Sequence, residues 1–405
     1  MFHKENRPVA ERRDSVPVER RYVYKDQKKL RRGYTTGTCS AAAARAAAWM
    51  LLSGQAVEQV HITTPAGIPL ALIPEEVVLE KDRVSCGIRK DGGDDADVTD
   101  GILIFAEVKR KEEAGVSITG GRGIGKVTAK GLEQEPGSYA INRVPRHMIR
   151  EAVEEVMEIH GYEGGLLVTI SAPEGEALAA RTFNPHLGIE GGISILGTSG
   201  IVEPMSEQAL VDTIALELSM QAAAGRSCCM MTPGNYGMQF LSGVLQLDPG
   251  LAVKCSNFIG DTIDMAPAYG MKGLLLVGHL GKLVKLGAGI MNTHSRYGDG
   301  RMEVLCACAL EAGAERKLLK ALLECVTTDG AVSLLREAGL DRPALGILMK
   351  KIEYHLKRRV YPGICIGALV FSNVHGLLGQ TEDVPRLLAW VREEMKMPGR
   401  EFETG

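Results

Sequence analysis

Small hydroxyl groups crowd one short stretch of this chain. Residues 33–48, GYTTGTCSAAAARAAA, set Thr35, Thr36 and Thr38 against an alanine-rich run. Serine, threonine and glycine favour helix N-termini, where side-chain oxygens accept from unpaired N–H groups. We therefore expect a loop over 33–39 and a helix from Ser40 to about Leu52, ending near Ser53-Gly54. Such a terminus can seat an anion. It can equally be an ordinary cap on a tightly packed helix, and spacing alone leaves both open.

Four further loops gather polar and small residues after apolar runs. GISIL leads into Gly197, Thr198, Ser199 and Gly200. SCCMMT leads into Pro233, Gly234, Asn235 and Tyr236; LAVKC leads into a segment from Asn257 to Asp261; GLLLVG leads into His279 to Lys282. Continuous apolar strands are the mark of a buried parallel sheet. Such sheets bind ligands beyond the carboxyl ends of their strands. Gly197, Thr198, Ser199, Gly200, Asn235, Tyr236, Asn257, Asp261 and His279 are thus the candidate cofactor contacts. The loops carry no phosphate signature, which favours an uncharged or mixed-charge ligand.

Two other motifs fail on inspection. Gly120 to Lys126 fits G-x-x-x-x-G-K, but Val127 stands where a magnesium-binding Ser or Thr belongs. The stretch RKDGGDDADVTDG lacks the order and the closing Glu of a calcium loop, so its aspartates are expected to cap local turns. The nine cysteines include no CxxC pair, and the histidines form no HxxxH or HExxH. The expectation is buried thiols in a reducing cytoplasm and no protein-held metal.

The elements that must position these groups follow from pattern. The 405 residues suffice for two or three domains. Apolar residues make up 45% and charged residues 24%, ordinary for a globular protein. The net charge of −3 argues against a nucleic-acid partner, and no apolar run is long enough to span a bilayer. Basic residues concentrate before Gly33, so residues 1–28 are expected to be a charged, disordered arm. Residues 29–190 mix short strands with the amphipathic helix VPRHMIREAVEEVMEIHG and predict an α+β domain. Strand, polar loop and helix then alternate over 191–300, which predicts a doubly wound, Rossmann-like α/β domain. Residues 301–405 are mainly helical, with ICIGALVFS as one strand rejoining a sheet.

The strings GYTTGTCSAAAARAA, DGGDDADVTDG, GGRGIGKVTAKGL, AINRVPRHMI, TFNPHLGIEGGISILGTSGIVEPMSE, PGNYG, SNFIGD and GHLGKLVKLGAGIMNTHS together resemble the CbiD family, the cobalt-precorrin-5B (C1)-methyltransferases of anaerobic cobalamin biosynthesis. The likeness is dense over about residues 30–300 and weaker beyond. Gly298 stands where the family run has alanine, and the arm is extra. The resemblance implies an enzyme that uses S-adenosylmethionine to methylate C1 of a cobalt tetrapyrrole. It also implies an α+β domain followed by a Rossmann-like one.

In-line methyl transfer needs alignment more than a catalytic triad, and no catalytic group is assigned. The substrate's acetate and propionate carboxylates require N–H groups, hydroxyls and cations. Under the resemblance, Thr35, Thr36, Thr38, Lys282, Lys285, Asn292 and His294 are the candidate substrate contacts. The two lysines stand three apart and would share a helix face. A tetrapyrrole-binding protein without catalysis, or a small-molecule kinase binding ATP at Gly120 to Lys126, are the competing classes. Homo-oligomerisation is left open.

Overall fold

The computed structural model describes residues 22–25 and 27–396, apart from the His186 side chain. Most of the expected arm lies outside the described residues. Its end does not follow that expectation: Tyr22–Lys25 pairs antiparallel with Lys28–Arg31. Lys25 Nζ donates to Pro204 O and Met205 O at 3.1 Å each and pairs with Glu203. The chain divides into two compact units, residues 1–206 and 207–405.

Unit 1 is built on a mixed sheet of β1 (Pro74–Leu79), β2 (Arg83–Arg89), β3 (Leu103–Lys111), β4 (Gly115–Gly120) and β5 (Gly165–Ser171), in the order β1-β2-β3-β5-β4. The parallel pair β4–β5 is joined through α2 (Arg143–Ile159), and the other pairs are antiparallel. The alanine helix α1 (Thr36–Ser53) packs on α2 and on β2 and β3. It starts earlier than expected because Thr35 is the N-cap, its side chain accepting from Thr38 N at 3.2 Å.

Each alanine from 41 to 48 is 0% exposed. Their short side chains let the helix approach the sheet closely; the Cys86 thiol on β2 donates to Ala43 O at 3.3 Å. Ala43→Leu is therefore expected to overpack this layer and lower stability by about 1–3 kcal/mol. Thermal unfolding checks this, and an unchanged melting temperature would contradict it.

Unit 2 opens with α3 (Glu207–Ala223). Its sheet comprises β6 (Cys228–Thr232), β7 (Ala252–Lys254), β8 (Gly273–His279), β9 (Cys365–Ser372) and β10 (Gly376–Gln380), in the order β7-β6-β8-β9-β10. The first four are parallel and β10 is an antiparallel edge. Alternate residues feed two cores. Cys229, Met231, Leu274, Leu276, Ala368 and Val370 pack on one face with α5 (Ile259–Met265) and α6 (Asp341–Arg359). Cys228, Met230, Leu275, Val277, Leu369 and Phe371 pack on the other with α4 (Asn235–Gly243) and α7 (Val384–Lys396). The fold is mixed α/β, with helices dominating the residues after 300 until β9 re-enters the sheet.

Residues 191–206, expected in the second domain, belong to unit 1. Ile193 and Ile195 are 1% and 0% exposed there and bridge to Ile124 and Ile141. Ile201–Val202 pairs with Gly33–Tyr34. The apolar run GISIL has the composition of a parallel strand, but its isoleucines fill the core of unit 1.

Candidate functional site

The chain enters unit 2's sheet at β6, steps outward to β7, then crosses back to β8. Open α/β sheets bind ligands where the strand order reverses in this way. The loops beyond β6 and β8 carry Asn235, Tyr236, His279 and Lys282. Gly237 closes α4 onto the sheet; a Cβ there would lie 2.7 Å from Thr232 Cβ and 2.9 Å from Val277 O. Tyr236 remains 60% exposed, its ring 6.0 Å from that of His279.

Lys282 Nζ crosses to the neighbouring loop and donates to Pro233 O at 2.8 Å. Among the described residues no carboxylate lies within ion-pair distance of it. Burial, with Lys254 and Lys285 nearby, pulls its pKa below the usual lysine value. A half-buried ammonium with only a carbonyl partner has the chemistry to receive an anion.

Lys285 behaves differently. It is 4% exposed and donates to Thr293 O at 3.1 Å and Gly298 O at 2.9 Å. The expected pairing of the two lysines on one ligand-facing side fails because their ammonium groups reach different carbonyls, Lys282 that of Pro233 and Lys285 those of Thr293 and Gly298. Lys285 thus points inward and braces the chain that carries Asn292 and His294.

That chain meets the loop after β7. Thr293 N donates to Asn257 O at 3.0 Å, Thr293 Oγ1 donates to Asn257 Oδ1 at 3.2 Å, and Phe258 bridges to Asn292. Asn292 Oδ1 accepts from His294 N, and His294 Nδ1 accepts from Arg296 N. Asp261 lies in the first turn of α5, partly exposed.

The remaining candidates lie in unit 1, together. Thr36 Oγ1 donates to Ser194 O and accepts from Leu196 N; Thr38 Oγ1 donates to Gly200 O at 2.7 Å. Thr35, Thr36 and Thr38 are 6%, 4% and 0% exposed; the Thr36 and Thr38 hydroxyls fasten the 194–200 segment to α1, while that of Thr35 caps the helix. Gly197 and Gly200 have φ of 124° and 76°, and added Cβ atoms would meet Thr35 and Thr38 within 2.8 Å. The run before this loop is no strand of unit 2's sheet, and membership of that sheet was the ground for expecting cofactor contacts at Gly197, Thr198, Ser199 and Gly200. Ser199 Oγ closes a local turn with Ile201.

Thr198 lines a cleft of about 960 Å³ with Arg45, His61, Arg143, His147 and Glu151. Arg45 is paired with Glu155 and Arg143 with Glu133, and His147 Nε2 stands 3.8 Å from Glu151, so both arginines already have carboxylate partners.

The glycines of 120–125 serve packing. A Cβ on Gly123 would lie 1.7 Å from Ala172 O, and one on Gly120 would lie 2.4 Å from the Tyr139 ring. The aspartates of 91–100 bind neighbours: Asp91 and Asp94 accept from Arg31, Asp95 from Met205 N, Asp97 from Lys90 and Thr99, and Asp100 from Gly92 N.

Two residues at the unit 2 edge escaped the sequence reading. Asp329 lies 3.9 Å from His279 Nε2, and Ser372, the last residue of β9, donates to Asp329 Oδ1 at 2.7 Å. Neither sits in a motif: Asp329 lies in the first turn of the helix Thr328–Glu337 and Ser372 ends β9, and only the fold brings them together.

A family model described as CbiD matches residues 23–204, and one described as the CbiD C-terminal domain matches 292–382. The cobalt-precorrin-5B C(1)-methyltransferase of Ruminiclostridium cellulolyticum is 47% identical over 354 residues, covering 87% of this chain and 92% of that protein. The protein of the same name from Alkaliphilus metalliredigens is 43% identical over 374 residues, covering 92% and 98%. A crystal structure of a cobalamin biosynthesis protein from Archaeoglobus fulgidus is 30% identical, covers 67% of this chain and 85% of that one, and has a TM-score of 0.36.

Proposed function

This chain belongs to the CbiD family, and from that premise we propose that it methylates C1 of cobalt-precorrin-5B with S-adenosylmethionine as donor. Unit 2 is then a doubly wound, Rossmann-like fold whose switch point, between β6 and β8, holds the donor. The observation that carries this placement is the pair of rings that meet there, the exposed Tyr236 phenol and the His279 imidazole, with the carboxylate-free Lys282 ammonium on the same edge for the macrocycle. An aromatic face and a polar ring suit a nucleoside, and the cation beside them suits a carboxylate of the macrocycle.

The donor supplies an activated methyl on a sulfonium. The chain's task is to hold the accepting carbon in line with it and to exclude water; alignment of that kind is worth roughly 7–11 kcal/mol of barrier. Lys282 receives a carboxylate of the macrocycle. The cobalt arrives inside the substrate, so the reading requires no metal ligands from the protein.

Calorimetry separates the competing classes. S-adenosylhomocysteine is expected to bind and ATP is not. ATP binding alone would favour a kinase. Macrocycle binding with no affinity for S-adenosylhomocysteine would favour a tetrapyrrole carrier.

A further inference from the structure

His279 has a fixed role in hydrogen bonding. Its Nδ1 accepts from Gly281 N–H at 3.0 Å. A ring nitrogen that accepts holds no proton, so the neutral imidazole carries its proton on Nε2. Burial lowers the pKa of this ring against the opposing pull of Asp329, which favours the neutral form. Nε2–H is therefore a donor, and its nearest acid oxygen, Asp329 Oδ2, lies 3.9 Å away, beyond hydrogen-bond reach.

Asp329 is fixed just as firmly. Its Oδ1 accepts from Ser372 Oγ at 2.7 Å. Ser372 is 2% exposed, and its Oγ also accepts from Val374 N at 3.0 Å and His375 N at 3.1 Å. Among the described residues Oδ2 has no hydrogen-bond donor. His279 at the carboxyl end of β8 and Asp329 in the first turn of the helix Thr328–Glu337 thus present one donor and one acceptor, each held in place and each lacking its partner. Phe371 packs edge-on to His279 at 5.7 Å, and the exposed Tyr236 ring stands at 6.0 Å from it.

A hydroxyl both accepts and donates, so one placed between these groups completes both. A carboxylate in that position would face the Asp329 charge, which excludes the rim of the tetrapyrrole. We propose that Asp329 Oδ2 and His279 Nε2–H hold a ribose hydroxyl of the methyl donor, with Tyr236 as the platform for its adenine. The proposal rests on the donor site described above and assigns its nucleoside subsite.

The test is calorimetry on the full chain with S-adenosylhomocysteine and its 2′,3′-dideoxy analogue. Wild type is expected to prefer the ribose ligand by about 10- to 100-fold, the effect of one hydrogen bond to a charged group. Asp329→Asn is expected to bring the two affinities within about threefold of each other, with the dideoxy analogue bound as in wild type. Equal wild-type affinities would overturn the subsite while leaving the donor site standing, and that comparison depends on no variant. Preference retained in Asp329→Asn would also overturn it. If wild type bound neither ligand, the donor reading would fall and the subsite with it.

Discussion

Replacing Asp97 by alanine is expected to destabilise unit 1 by about 3 kcal/mol, the lower end of the range for stranding one member of a buried ion pair. Lys90, at the end of β2, is 3% exposed and its ammonium is paired with Asp97. Asp97 Oδ1 also accepts from Thr99 N at 2.8 Å and Thr99 Oγ1 at 2.6 Å. Burial raises the Asp97 pKa, but the bonds from Lys90 and Thr99 outweigh it and hold the carboxyl below its ordinary value.

A carboxyl depressed on folding contributes stability that is present above its unfolded pKa. That stability is lost as pH falls through the folded value. Urea unfolding of wild type should therefore weaken in acid, and the Asp97→Ala variant should lack that component. Adding Lys90→Met to Asp97→Ala should recover much of the loss, because the stranded charge goes with it. A single variant as stable as wild type would contradict this account.

Lys282→Met is expected to weaken binding of the cobalt macrocycle by about 1–3 kcal/mol, one charged hydrogen bond, while S-adenosylhomocysteine binds as before. Methionine keeps most of the stem and removes only the charge. The pH dependence carries a sign. Because the Lys282 pKa is lowered, its charge is lost on raising pH sooner than that of an ordinary lysine. Macrocycle affinity should fall with rising pH in wild type, and this component should vanish in the variant. If donor affinity dropped while macrocycle affinity held, Lys282 would face the donor instead.

The elements of unit 2 were largely legible because buried parallel strands announce themselves as unbroken apolar runs. SCCMMT, GLLLVGH and ICIGALVFS became strands at or near the expected bounds, while of LAVKCSN only Ala252–Lys254 is strand. GISIL has the same character, and composition does not say which sheet or core an apolar run will join. The threonines of α1 were legible as caps, and only the structure reveals that Thr36 and Thr38 spend their hydroxyls on residues 194–200. Lys282 and Lys285 looked equivalent under helical spacing, and only the structure shows that Lys285 is buried against Thr293 O and Gly298 O while Lys282 reaches Pro233 O. The Asp329–Ser372 pair was invisible because its members are distant in sequence and belong to no motif.

Methyl transfer to the cobalt macrocycle is read out by mass spectrometry. The full chain is incubated with cobalt-precorrin-5B and S-adenosylmethionine bearing a trideuterated methyl group. The expected product is heavier by one trideuteriomethyl in place of one hydrogen, with the label on C1. A macrocycle of unchanged mass, recovered from a protein that binds both ligands, would contradict the proposed activity.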